Sequence, residues 1–531
     1  MGLITVLSAC GSGQDDSGAV VIYANSSIAP WLTNAAEEFN AQRVETINGD
    51  LVSVVVTPFE SGQFVDAALE VGDLPDIWVP ENESWADLLV DQGLLAFGEG
   101  CVSLASSPLV IGMWQPVAES LGYPGRELGW LDIGSLAADP SAWAYYSGGQ
   151  YGSSLRIGHT HPGVSGSGTS TLLAIVQAAQ SKAEAVDAAE IDQPIVQSSV
   201  GSFSGAVSWF SSSTNELAST MRERGSGYLG AGIMYESDVL RYQAGEPNLI
   251  PVYPFEGTFM ASHPACINTT SEREPLDLVL RHFLSAESQQ MAVSFGLRPA
   301  VTEGVEIVPP LTEAQGVNLA EPSTVFEDGS FDSIYAIQDL WQSSRKPLNL
   351  VMVLDVSGSM EGGKITGLRD AAVQFVQQMG ENDRLTLVPF ADRPVVWLES
   401  VQVSQNLAEA TQLIQGLEPR GGTALYDAIG FAGEQIERSA SPETANVVIV
   451  LTDGVDTASY NYRFDDDLLT RLINNNATVF TVAYGRDADE DVLTDIALAA
   501  NGKSYTGDAA SIEDIYEEMS LAFGGTVGVG R

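Results

Sequence analysis

The chain of 531 residues carries 23 Lys and Arg against 70 Asp and Glu, a formal net charge of −47. Such a surface repels nucleic acid and anionic lipid headgroups, so neither is expected as a partner, and it suits a saline exterior where charge is screened. Hydrophobic residues make up 44 % of the chain, enough for two or three cores, but no apolar run of about 18 residues follows the N-terminus, so no transmembrane helix is expected.

Leu7-Ser8-Ala9 precedes Cys10, and Gly11-Ser12-Gly13-Gln14-Asp15-Asp16-Ser17 follows it. This run resembles a bacterial lipobox. The resemblance implies that residues 1–9 are a partial lipoprotein signal, that Cys10 becomes a lipidated first residue, and that 10–18 form a flexible tether. A secretory signal needs a basic start and an apolar core of about 7–15 residues. Nothing before Cys10 is basic, which points to a signal beginning upstream of Met1. The remaining cysteines, Cys101 and Cys266, form an even pair that an oxidising compartment permits to bridge. Two free buried thiols are the alternative.

From residue 19 apolar strands alternate with helical patterns. Ala19–Ala24 reads as a strand, Ile28–Phe39 as a helix, Leu51–Thr57 as a strand and Gln63–Glu70 as a helix. Pro75–Pro80 is a third strand, and Ser107–Met113 a further one at a lobe crossing. Segments near Gly129–Asp139, Gln150–Ile157 and Leu172–Lys182 build a second lobe, and Ala231–Ser237 and Leu249–Phe259 return the chain. This order resembles the two-lobe bacterial solute-binding proteins, with a double crossover and a cleft between α/β lobes. The most specific local match runs from Gly158 to Ser170, where a Ser/Gly loop opens a helix whose free N–H groups could hold an oxyanion. A cleft lined by Ser61, Glu81, Ser165, Ser167, Thr169, Tyr235 and Glu236 is expected, suited to a small polar or anionic solute. Helix capping by Ser165–Ser170 is the plain alternative, as is a cleft that serves only as a stalk. His159 and His161 have metal-ligand spacing but no third ligand nearby. Residues 303–345 join the halves, with Pro309, Pro310 and Pro322 and then a helix at Phe331–Ser344.

Behind the joint, Leu348–Leu354 reads as a buried strand and ends in Asp355-Val356-Ser357-Gly358-Ser359. One carboxylate and two hydroxyls then sit on a loop at the carboxyl edge of a sheet, where ligands bind in open α/β folds. Arg420-Gly421-Gly422-Thr423 adds a Gly-rich loop with a Thr before a helix, and a second buried strand, Asn446–Thr452, ends in Asp453-Gly454. Hard oxygens of this kind suit Mg²⁺. Strands at Arg384–Phe390 and Ala477–Ala483 fit the same sheet, with helices at Ile365–Met379, Asn406–Leu417, Thr423–Arg438, Asp467–Asn474, Asp489–Ala499 and Ser511–Phe523. The three loops resemble the metal-ion-dependent adhesion site of von Willebrand factor A (VWA) domains. The resemblance implies that Ser357, Ser359 and Thr423 offer hydroxyls to one ion, Mg²⁺ with Mn²⁺ or Ca²⁺ as alternatives. Asp355 and Asp453 would hold it directly or through water, and a partner's carboxylate would take the open position.

The chain as a whole resembles bacterial lipoproteins that couple a substrate-binding domain to a VWA domain. The implied fold is α/β: a two-lobe periplasmic-binding-protein-like domain over 19–302, a linker with a helix over 303–345, and a doubly wound, Rossmann-like VWA domain over 346–531. No nucleophile–base pair or paired-carboxylate signature marks an enzyme. Two functions stay open: an exported, lipid-anchored adhesion module at the cell envelope that captures a protein partner through Mg²⁺, or a solute receptor of an ABC-type transporter with VWA as accessory.

Overall fold

The computed structural model describes residues 19–525, apart from 71–73, 99, 153, 442 and 466. Cys10, the partial signal and the tether lie outside the described residues. So do residues 526–531 at the end of the expected VWA span.

The first lobe is built on a five-stranded sheet in the order Ser53–Pro58, Ala19–Ala24, Ile77–Val79, Pro264–Ile267, Cys101–Ser103. Its first three strands are parallel, and Pro264–Ile267 pairs antiparallel with both of its neighbours. Val20, Ile22 and Ala24 alternate inward along the first strand and pack with Trp31, Leu32 and Phe39 of the helix Ala29–Gln42. Cys101 and Cys266 face each other in register and are disulfide-bonded, with Cα atoms 4.3 Å apart and a sequence separation of 165.

The second lobe centres on the ten-residue strand Ala105–Trp114, which pairs antiparallel with Ala231–Tyr235, Leu249–Val252, Met260–Ala261 and Arg298–Pro299. Ile157–Thr160 and Val207–Ser211 extend this sheet outward. The chain enters the second lobe after Ser103, returns to the first before Pro264, and runs back a third time to Arg298. The segment expected near Leu172–Lys182 lies in a helix that begins at Gly166 and ends at Gln180. Its opening residues are small and wholly buried, so no apolar periodicity marks them.

The third sheet has six strands, ordered Leu398–Gln402, Arg384–Phe390, Leu348–Asp355, Ala445–Thr452, Thr478–Tyr484, Ser504–Gly507. Only Leu398–Gln402 is antiparallel. Every residue of Leu348–Asp355 is buried. Leu350, Met352 and Leu354 face one helical layer with Leu368, Phe375 and Tyr516, while Val351 and Val353 face the other with Leu425, Ile429 and Leu472. A strand apolar at successive positions is thus explained by helices on both faces. The helix expected at Asp467–Asn474 is reduced to Thr470–Asn474.

The joint helix, Phe331–Ser344, is packed rather than free. Ile334 joins Phe64, Trp78 and Trp85 of the first lobe, while Ile337 and Trp341 enter the core shared by the second lobe and the third sheet. Arg345 then forms a nearly unexposed ion pair with Asp383, at 3.1 and 2.9 Å. The third sheet docks on the outer strand of the second lobe, where Trp209 stacks on Phe480 with ring centres 5.6 Å apart. His161 belongs to this joint. Its Nδ1 accepts from Gly163 N, so Nε2 donates to Gly525 O at 2.9 Å, and its ring packs on Trp341. His159 lies between Phe203 and Phe210. Burial lowers the pKa of His159 to about 3 and of His161 to about 4, so both are neutral packing residues.

Candidate metal-binding site and interlobe cleft

Asp355 closes its strand at the carboxyl edge of the third sheet, fully buried. One of its oxygens accepts from Ser357 N at 2.7 Å and the other from Thr452 Oγ1 at 2.6 Å. The loop turns so that Ser357 Oγ lies 3.0 Å from Ser359 Oγ. Ser359 Oγ donates to Asp453 Oδ1 at 2.7 Å, joining the first loop to the third. The other Asp453 oxygen takes the Lys364 ammonium at 2.5 Å.

The middle loop is tied in through its backbone, where Gly358 N donates to Gly421 O at 3.1 Å. Gly421 has φ +70°, and a Cβ there would meet the Asp392 carboxylate at 2.5 Å, so a larger residue would be strained. Thr423 is buried, and a Cβ on Gly454 would fall 3.6 Å from its Oγ1, which places this hydroxyl beside the Asp453 loop. Asp355, Ser357, Ser359, Thr423 and Asp453 therefore gather at one sheet edge, with Ser359 exposed as the rim.

Burial raises the Asp355 carboxyl above its ordinary range, against hydrogen bonds from Thr452 and Ser357, and the Asp453 charge adds to the rise. Two buried carboxylates with neutral hydroxyls between them suit a hard cation. Among the described residues no three His, Cys, Asp or Glu side chains gather to hold a metal. Ion binding here would rest on hydroxyls as much as on charge. Two contacts of this site lie outside the five residues. Thr452 is marked in sequence only by preceding Asp453, and Lys364 only by standing five residues past Ser359.

The seven expected cleft residues divide. Glu81 of the first lobe reaches the opening of the helix Gly166–Gln180, where its Oε1 accepts from Gly166 N at 3.1 Å. Ser61 Oγ donates to its other oxygen. Ser165 and Ser167 hydroxyls lie 2.9 Å apart beside it. Tyr235 is buried, with its ring 5.8 Å from that of His263 and its hydroxyl within the field of Glu81 and Glu60. Thr169 turns back to Pro162 O. Glu236 is bound to Arg298 at 2.8 Å and to Tyr253 OH, a buried ion pair.

The lobes meet directly. Gly62 N donates to Val164 O at 2.9 Å, and a Cβ on Gly62 would lie 2.7 Å from two carbonyl oxygens of that loop. Glu60, absent from the expected set, accepts from Ser26 N at 3.1 Å and is raised chiefly by burial. Burial likewise pushes Glu81 up to about 8, with the Glu60 charge adding.

Comparison with known proteins assigns both halves. The bacterial extracellular solute-binding protein family matches residues 20–298, and the von Willebrand factor type A domain matches residues 349–518. Inter alpha-trypsin inhibitor, heavy chain 4 of Mus musculus is 27 % identical over 290 residues, covering 52 % of this chain and 30 % of that protein. An uncharacterised protein of Synechocystis is 33 % identical over 162 residues, covering 30 % of this chain and 37 % of its own length. The chain thus spans well under half of the curated relatives it matches. Among solved structures, the periplasmic binding protein AfuA from Actinobacillus pleuropneumoniae aligns over 62 % of this chain and 97 % of its own, at 16 % identity and TM-score 0.43. A von Willebrand factor type A protein from Catenulispora acidiphila aligns over 33 % and 42 %, at 23 % identity and TM-score 0.30.

Proposed function

We propose that this chain, which belongs to the bacterial extracellular solute-binding protein family and carries a von Willebrand factor type A domain behind that module, is an exported adhesion protein that captures a partner through a divalent cation. Ser357, Ser359 and Thr423 would offer hydroxyls to Mg²⁺, and Asp355 and Asp453 would balance its charge. The bound ion supplies an open position for a partner's carboxylate. The observation that carries this reading is the linkage of three loops distant in sequence, through Ser359–Asp453 and Gly358–Gly421. Its protein partner is recognised by acidic side chains, and Cys10 supplies a lipid anchor at the cell envelope.

The alternative, a solute receptor of an ABC-type transporter, draws its support from the buried polar residues Glu60, Glu81, Ser165 and Tyr235 where the lobes meet. Glu81 already takes the Gly166 N–H group that an anion would seek, so a neutral polar solute fits this cleft better than an anionic one. Calorimetric titration of Mg²⁺ distinguishes the roles. Binding to the wild type that Asp355→Ala abolishes, without loss of the cooperative melt, supports adhesion through the metal site. Equal Mg²⁺ binding by both proteins removes that support.

A further inference from the structure

Lys364 is one of only four lysines in a chain of net charge −47. It is the second residue of the helix Gly363–Gln377. The first turn of a helix presents unpaired backbone N–H groups and disfavours a cation, so nothing local explains a lysine there. The explanation lies across the site. Its Nζ sits 2.5 Å from Asp453 Oδ2, and the Asp453 side chain is wholly buried while that of Lys364 is 31 % exposed. Ser359 fills the remaining Asp453 oxygen.

The lysine is held in this pose from behind as well. Lys364 O accepts from Tyr484 OH at 3.1 Å. The next residue, Gly485, has φ +98°, and a Cβ there would come within 3.4 Å of Lys364 Cε and 3.5 Å of Nζ. The turn after the strand Thr478–Tyr484 thus leaves room for this one side chain beside Asp453.

We propose that Lys364 is a tethered cation that holds the metal site in its ion-free form. Its ammonium balances Asp453 until a divalent ion enters, and must withdraw from that oxygen as the ion loads. Asp355 and Asp453 with Lys364 leave one net negative charge, and a divalent ion turns this into one net positive charge. The displaced ammonium then stands beside the ion's open position, where its charge favours a partner's carboxylate over long-range repulsion from the acidic chain. Lys364 therefore lowers affinity for the ion and spares the protein from depending on it for stability. This inference rests on the metal-binding reading above.

The test is Mg²⁺ titration of the full chain by calorimetry, at fixed pH and salt, on wild type, Lys364→Met, Lys364→Arg and Asp355→Ala. Lys364→Met is expected to bind Mg²⁺ about tenfold more tightly than wild type, since a neighbouring positive charge has been removed. Lys364→Arg should stay close to wild type. Melting in EDTA should cost Lys364→Met several degrees relative to its Mg²⁺-loaded form, and wild type far less. Equal or weaker binding by Lys364→Met, with Asp355→Ala still abolishing it, overturns the role of Lys364 and leaves the metal site standing. Lys364→Arg behaving like Lys364→Met overturns it too, because charge would not be the cause. No Mg²⁺ binding by wild type or Lys364→Met overturns both readings.

Discussion

Glu81 shows what a single buried carboxyl does to a cleft. It crosses from one lobe to the helix opening of the other, and it titrates near 8 in the fold against an ordinary 4.5. Between those values the native state holds a proton that the unfolded chain has lost. The stability this group contributes is therefore full in acid and lost as pH rises toward 8. Glu81→Gln keeps a neutral polar group there and should flatten the loss. Urea midpoints at about pH 5 and about pH 8 report it, and an unchanged fall in the variant would contradict the assignment. Glu60 and His263 complete the same region, but they arrive from separate loops at one edge of the first-lobe sheet. No spacing in the sequence marks them. Asp355, Ser357 and Ser359 were legible because they stand within five residues after an unbroken apolar strand. Glu236 sits in an ion pair that no local spacing marks, because its partner Arg298 lies 62 residues away.

At the scale of elements, the Cys101–Cys266 bridge locks the strand that leaves the first lobe to the strand that returns to it. A closed loop of this length contributes up to about 5 kcal/mol in the chain-entropy model. The double replacement Cys101→Ser, Cys266→Ser should lower the melting temperature of the solute-binding module by several degrees. The third sheet, which the bridge does not touch, should be affected less, and calorimetry follows the melt. An unshifted melt would contradict this. The central strands of the third sheet were readable from composition, since helices cover both faces and every position must be apolar. The outer strand Val207–Ser211 was not readable. Its burial depends on Phe480 of the docked domain, through Trp209, and no local pattern announces that. The short strands Leu398–Gln402 and Ser504–Gly507 escaped for a related reason, because edge strands keep polar residues on the open side.

Across the whole molecule, the joint helix and His161 tie the two modules into one body. No helix among the described residues is long and apolar enough to cross a membrane. Anchoring by lipid at Cys10 is the proposed attachment, so Cys10→Ser should move the protein from the membrane fraction to the medium when it is expressed behind a full signal. Unchanged fractionation would count against the anchor. The metal site itself is read most directly by diffraction from Mn²⁺-soaked crystals at the manganese absorption edge. One anomalous peak is expected among the hydroxyls of Ser357, Ser359 and Thr423, between Asp355 and Asp453. Manganese found only elsewhere, such as beside Glu60 and Glu81, or no peak at all, would contradict capture of a partner through this site.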